Sequence, residues 1–228
     1  MVVAIQEVCA QCHCTVCFSF KYLDRYLLYS MIRSKISLSP PIPKVFILRP
    51  DTYLICISKE EEAKILMANE RLVELKAFVD FLRDRIGFDF NVDKFDHRIA
   101  LQKYVFIAKQ LGWSNIYPYN IYARGPYSPD LANDYYALNK TDLGDMDYRK
   151  SLPSFETDRA YEIFSKKSVA WLEVAATIIS IALNNNGRMS NEDAVSFALA
   201  RTKELKSKYS PSFIDGVCYS LKRFNLIA

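Results

Sequence analysis

The chain has 228 residues, room for one or two domains, and half of them are hydrophobic, enough for a sizeable core. Its 15 Tyr and 14 Phe argue against disorder over most of the length. A formal net charge of +4 falls far short of the strongly basic balance of a dedicated nucleic-acid binder.

The first 66 residues differ in composition from the rest. All six glycines lie at or after Gly87, whereas Cys9, Cys12, Cys14, Cys17 and Cys56 precede residue 67, as do Pro40, Pro41, Pro43 and Pro50. Two readings fit residues 1–66: a small appended module, or upstream sequence translated in frame, with the true start at Met67. The second is slightly preferred, because MANERLVELKAFVDFL makes a natural beginning for a helical domain. If the lead is genuine, Tyr22 to Ile32 suits an amphipathic helix, and Val45 to Leu48 with Tyr53 to Ile57 suit a hairpin. Cys9, Cys12, Cys14 and Cys17 spell C-x-x-C-x-C-x-x-C around His13. Such thiolates suit zinc or an iron–sulfur cluster. A zinc ribbon, however, separates its knuckles by ~15–20 residues. Crowding without a glycine favours a metal-free segment, so no cofactor is expected.

Residues 67–228 read as a single helical domain. Leu72, Leu75, Val79, Leu82 and Ile86 repeat at helical spacing, with Phe78 and Phe81 widening the stripe, and Gly87 stops the helix. Asp96 is the expected cap of the next helix. Leu101, Tyr104, Val105, Ala108 and Leu111 form its buried face, and Ile99 and Phe106 suggest burial nearly all round. His97 in its first turn has no nucleophile signature beside it and reads as a helix-start residue.

Tyr117, Tyr119 and Ile121 alternate as in a short half-buried strand, giving a small β element near 117–122. A rigid Arg124-Gly125-Pro126 turn follows. Ser128-Pro129 opens a helix with Leu131, Tyr135 and Leu138 inward. Asp130 suits the positive end of that helix, and Asp134 is placed to meet Arg124 or Lys103. Residues 140–153 read as a linker or excursion rather than a domain boundary.

Ser168 opens an apolar helix at 169–183. That run has 15 residues and carries Glu173, short of the ~20 a bilayer core requires. Ser190 with Asp193 forms a capping box ahead of Ala194, Phe197, Ala198 and Leu205. Ser210-Pro211 opens the last helix, with Ile214, Val217, Leu221 and Phe224 inward. Residues 225–228 suit an edge strand. No basic leader precedes the N-terminal apolar stretch, which Glu7 interrupts, so a cytoplasmic protein without membrane attachment is expected.

The fold class expected is mainly α: a compact helical domain with a small β element and a helix-turn-helix-like C-terminal part. The expected interior includes Leu75, Val79, Leu82, Leu101, Val105, Ala108, Leu131, Ile178, Phe197, Ile214 and Leu221. No catalytic constellation is evident. Protein binding is the leading function class, DNA binding the runner-up and an enzyme the third. For a protein partner the candidate residues are Arg124, Gly125, Pro126, Tyr127, Ser128, Asp134 and Lys103. Proline on both sides of Tyr127 stiffens the loop, and Tyr and Arg are favoured at binding hot spots. For DNA the alternative set is Lys203, Lys206, Lys222 and Arg223, the basic residues of the last two helices.

Leu101, Gln102, Lys103, Val105 and Phe106, then Tyr119, Gly125, Pro126, Tyr127, Ser128, Leu131 and Asp134, follow L-Q-K-x-V-F-I and G-P-Y-S-x-x-L-x-x-D. This pattern resembles the YwgA-type family of uncharacterised prokaryotic proteins over roughly residues 70–140. More remotely it resembles the Panacea domain of SocA-like antitoxins, from which the Tyr-Ser and Asp positions depart. The resemblance implies a helical domain with a small β element that works by binding, as a regulatory or antitoxin-like protein.

Overall fold

The computed structural model describes the backbone at 3–4, 16–21, 44–49, 52–57 and 59–227 save 115, 116 and 142, and side chains from Glu70 onward, with the same exceptions. The chain divides into two compact units, Met1–Glu70 and Arg71–Ala228.

In the first unit the described strands are β1 (Val3–Ala4), β2 (Val16–Lys21), β3 (Lys44–Arg49) and β4 (Thr52–Ile57). They form an antiparallel sheet in the order β1-β2-β4-β3. The β3–β4 pairing is the hairpin that the Val45–Leu48 and Tyr53–Ile57 runs predict. The helix expected at 22–32 lies outside the described residues. So do Cys9, Cys12 and Cys14, while Cys17 falls within β2.

Helix α1 (Lys59–Phe81) starts eight residues before Met67, with a π-turn at Leu82–Ile86 continuing it. The second unit then holds α2 (Phe95–Ala108), strands β5 (Asn120–Tyr122) and β6 (Gly125–Tyr127), and α3 (Pro129–Leu138). Helices α4 (Tyr148–Ser151), α5 (Thr157–Phe164), α6 (Val169–Asn185), α7 (Asn191–Leu205) and α8 (Pro211–Arg223) complete it. The expected mainly helical fold with a small antiparallel β element is the fold observed.

Two helices organise this unit. All residues from Ile99 to Ala108 of α2 and from Trp171 to Ala182 of α6 are buried. Such all-round burial requires neighbours on every side. Helix α6 packs against α2, α7, α8 and β6, and α2 also contacts α3 and β6. No single helix among the described residues is long and apolar enough to cross a membrane.

Serine side chains set the helix starts as expected. Ser128, Ser168, Ser190 and Ser210 each accept the backbone N–H three residues on. Several local expectations need correction. Lys94, not Asp96, is the N-cap of α2, and Asp96 lies in its first turn, where its charge still favours the positive helix end. Helix α7 turns Ala194, Val195, Ala198 and Thr202 inward, which leaves Phe197 47% exposed and Leu205 also outside. Val79 is only half-buried. Residues 140–153 contain the short helix α4. Leu226 and Ile227 bury without forming a strand.

Candidate interaction site

The β5–β6 hairpin is where the sequence pattern, the burial and the charge converge. Tyr122 pairs with Gly125 and Asn120 with Tyr127, so the turn falls on Ala123 and Arg124 and Gly125 starts the returning strand. The anticipated Arg-Gly-Pro turn is therefore shifted by one residue. Gly125 has φ +86°, and a Cβ there would lie 2.5 Å from Thr177 Oγ1. Left-handed backbone and close approach to α6 both select glycine.

Buried polar groups fasten the hairpin from three sides. From α2, Gln102 Nε2 donates to Ser128 O at 2.9 Å and its Oε1 accepts Ser128 N–H at 2.9 Å. Beside it Lys103 Nζ donates to Pro126 O. From beyond the end of α7, Lys206 Nζ donates to Ala123 O at 2.7 Å and reaches Glu173 Oε1 of α6 at 2.8 Å. Glu173 Oε2 in turn accepts from Lys208 at 3.1 Å and from the Tyr209 hydroxyl at 3.3 Å, with Arg124 NH1 3.6 Å away.

The electrostatics follow from this crowding. Burial, with Lys206 nearby adding repulsion and Glu173 opposing, pushes the Lys103 ammonium down to about 7. Burial would raise the Glu173 carboxyl, but the hydrogen bonds from Lys206 and Lys208 outweigh it and hold it below its ordinary value. Burial would lower Lys208 too, but its bonds with Tyr209 and Glu173 raise it.

The candidate residues thus separate by role. Gly125, Pro126, Ser128, Asp134 and Lys103 are buried; Lys103 and Gln102 hold the hairpin through Pro126 and Ser128, while Asp134 bonds elsewhere. Arg124 is exposed and Tyr127 half-exposed. Tyr127 stacks edge-on with exposed Tyr122 at 5.5 Å between centroids, and Arg124 lies 5.8 Å from the ring of exposed Phe95. Asp134 meets neither Arg124 nor Lys103. It pairs with Arg71 Nε at 3.1 Å and accepts from the Tyr117 hydroxyl at 2.9 Å. Burial raises its carboxyl above the usual range against the pull of Arg71 and Tyr117.

In the alternative DNA-binding set, Lys206 is only 3% exposed and committed to Glu173, so it has no ammonium to offer phosphate. Lys203 pairs with Asp215 at 2.6 Å. Lys222 and Arg223 stay on the surface. His97 accepts the Asn91 N–H through Nδ1 at 3.2 Å and packs on Phe88. No group of three or more His, Cys, Asp or Glu among the described residues is placed to hold a metal ion.

Sequence reasoning missed Gln102, Glu173 and Thr177 as members of this site. The signal available was Glu173 itself. A carboxylate inside an apolar helix seldom buries without a charged partner. Comparison of the chain with family models, with curated proteins and with solved structures yielded no match.

Proposed function

We propose that this is a non-enzymatic cytoplasmic interaction protein, regulatory or antitoxin-like, that recognises another protein through the tip of the β5–β6 hairpin. The proposal includes the resemblance to the YwgA-type family and, remotely, to the Panacea domain. One observation carries it: exposed Tyr122 and Arg124 with half-exposed Tyr127 sit on a hairpin held by hydrogen bonds from Gln102 and Lys103 of α2 and from Lys206. Holding aromatic and arginine anchors in place before a partner arrives reduces the ordering cost of association.

A photo-crosslinking residue at Tyr122, in the native host, tests this. A discrete partner should be trapped, and Arg124→Ala or Tyr127→Ala should weaken its capture without unfolding the chain. If no adduct forms, or if both substitutions leave capture unchanged, the reading fails.

A DNA-binding regulator is the second reading. It is supported by Lys222 and Arg223, which end α8 exposed and have no acidic partner among the described residues. Duplex binding across a salt series tests it, with a log–log slope near −0.9 for each phosphate contacted. Absence of binding at low salt rejects it.

A further inference from the structure

The hairpin gathers more positive charge than its surroundings balance. Arg124, Lys206 and Lys208 all turn to Glu173, and no other carboxylate among the described residues lies within ion-pair distance of any of them. Lys206 takes Oε1, while Lys208, Tyr209 and Arg124 share Oε2. One carboxylate oxygen cannot occupy the five N–H groups of a guanidinium and the three of an ammonium.

The two outer cations are open to solvent. Arg124 is 53% exposed and sits 3.6 Å from its acceptor, beyond the ~2.7–2.9 Å of a charge-assisted hydrogen bond. Lys208 is 46% exposed. Both keep donors for a second anion. Beside them Phe95 lies open to solvent, with Arg124 on its ring at 5.8 Å and Arg98 at 5.5 Å.

We infer that Arg124 and Lys208 form a receiving site for a carboxylate of the partner, carried on an acidic segment whose neighbouring aromatic or aliphatic side chain packs on Phe95. The inference rests on the proposed hairpin recognition and names the partner's chemistry. A carboxylate suits the site better than a phosphate, because Glu173 already fills its centre and repels a dianion more strongly. Two exposed cations beside apolar rings also match a peptide better than a row of phosphates.

The test is fluorescence anisotropy on the full chain, with a labelled Glu-rich peptide bearing one Tyr and a matched peptide with Gln for Glu. The Glu peptide should bind about tenfold tighter, and Arg124→Ala and Lys208→Gln should each weaken it about tenfold, as loss of one charged hydrogen bond implies. Lys222→Ala with Arg223→Ala should leave it unchanged. Both site substitutions lie on exposed side chains, and circular dichroism confirms that each variant folds. Equal binding of the two peptides overturns the inference, as does an equal loss in the Lys222/Arg223 variant. Displacement of the peptide by inorganic phosphate at equal concentration assigns the site to small anions and overturns it. Displacement by a DNA duplex does the same in favour of nucleic acid. Crosslinking from Tyr122 reads recognition separately: a trapped partner whose capture ignores Arg124 and Lys208 sinks this inference alone.

Discussion

Lys206 places its ammonium 2.8 Å from Glu173 Oε1 with only 3% and 1% of the two side chains exposed, and the same ammonium donates to Ala123 O at 2.7 Å. One buried ion pair thus ties α6 and the end of α7 to the turn of the hairpin. The pairing explains why two charged residues are tolerated inside an otherwise apolar layer. Each ion's desolvation cost is offset by the other and by the carbonyl and hydroxyl groups around them.

Breaking that pair from either side should be costly, because it leaves a buried charge uncompensated. Glu173→Gln leaves Lys206 buried without its counter-ion, and Lys206→Met leaves the carboxylate short of its nearest cation; each should destabilise by about 3–5 kcal/mol. The double variant should fall short of the summed losses by about 1–3 kcal/mol, because its members share one interaction. Urea denaturation of the four proteins measures the cycle. Strict additivity would show that the two side chains do not stabilise each other.

Gly125→Ala should destabilise by about 2–4 kcal/mol, combining a left-handed backbone with a crowded contact. Its φ is +86° and the new methyl would meet Thr177 Oγ1 at 2.5 Å. Gly144 supplies the comparison, since it has φ +65° and a methyl added there would meet nothing within 4 Å. Gly144→Ala should cost only the backbone part, about 1–2 kcal/mol. Adding Thr177→Ala to Gly125→Ala should recover part of the loss. Equal effects at both glycines in chemical denaturation would remove the close-approach argument.

Sequence legibility follows the range of the interaction. The serine caps at 128, 168, 190 and 210 bond only three residues along, so their partners lie within the local text. The buried faces of α2 and α6 are equally plain in their apolar residues, though not in the polar ones buried among them. Phe197 reads as interior and is not, because the face α7 buries is chosen by α6 and α8. Lys103 and Lys206 read as surface residues because lysine usually is one. What buries them is distant in sequence: Glu173 stands 33 residues before Lys206, and Pro126 stands 23 after Lys103. Arg71 and Asp134, 63 residues apart, are unreadable as a pair for the same reason.

A chain shortened to start at Met67 should melt within about 3 °C of the full chain, roughly 1 kcal/mol for a domain of this size. The composition break motivates this, and the second compact unit, which begins at Arg71, lies wholly within the shortened chain. Differential scanning calorimetry of both forms decides it. A loss well beyond that margin would make the first 66 residues part of the same cooperative fold. Elemental analysis of the full chain should find no stoichiometric zinc or iron; either metal at one per chain would assign the cysteine cluster a site.

Lys103 should give the fold a pH dependence of definite sign. Its folded value is about 7 against an ordinary 10.5, so between those limits the unfolded chain holds the extra proton. Stability therefore rises with pH through this window, and below about 7 both states are protonated and Lys103 adds no slope. The gradient approaches about 1.4 kcal/mol per pH unit at most. Burial raises Tyr104 to about 12 and moves Tyr117 and Tyr119 upward as well, which reverses the trend at higher pH. Burial pushes the Cys218 thiol up as well, so the measurement belongs between about pH 7 and 8.5, below the ordinary cysteine and tyrosine ranges. Urea midpoints of the native chain should climb across that interval, and those of Lys103→Met should climb much less. Arg124→Ala, at an exposed position outside the Lys103 hydrogen bond, should keep the native slope. Parallel curves for the native chain and Lys103→Met would mean that Lys103 stays protonated in the fold and that the hairpin tolerates its charge.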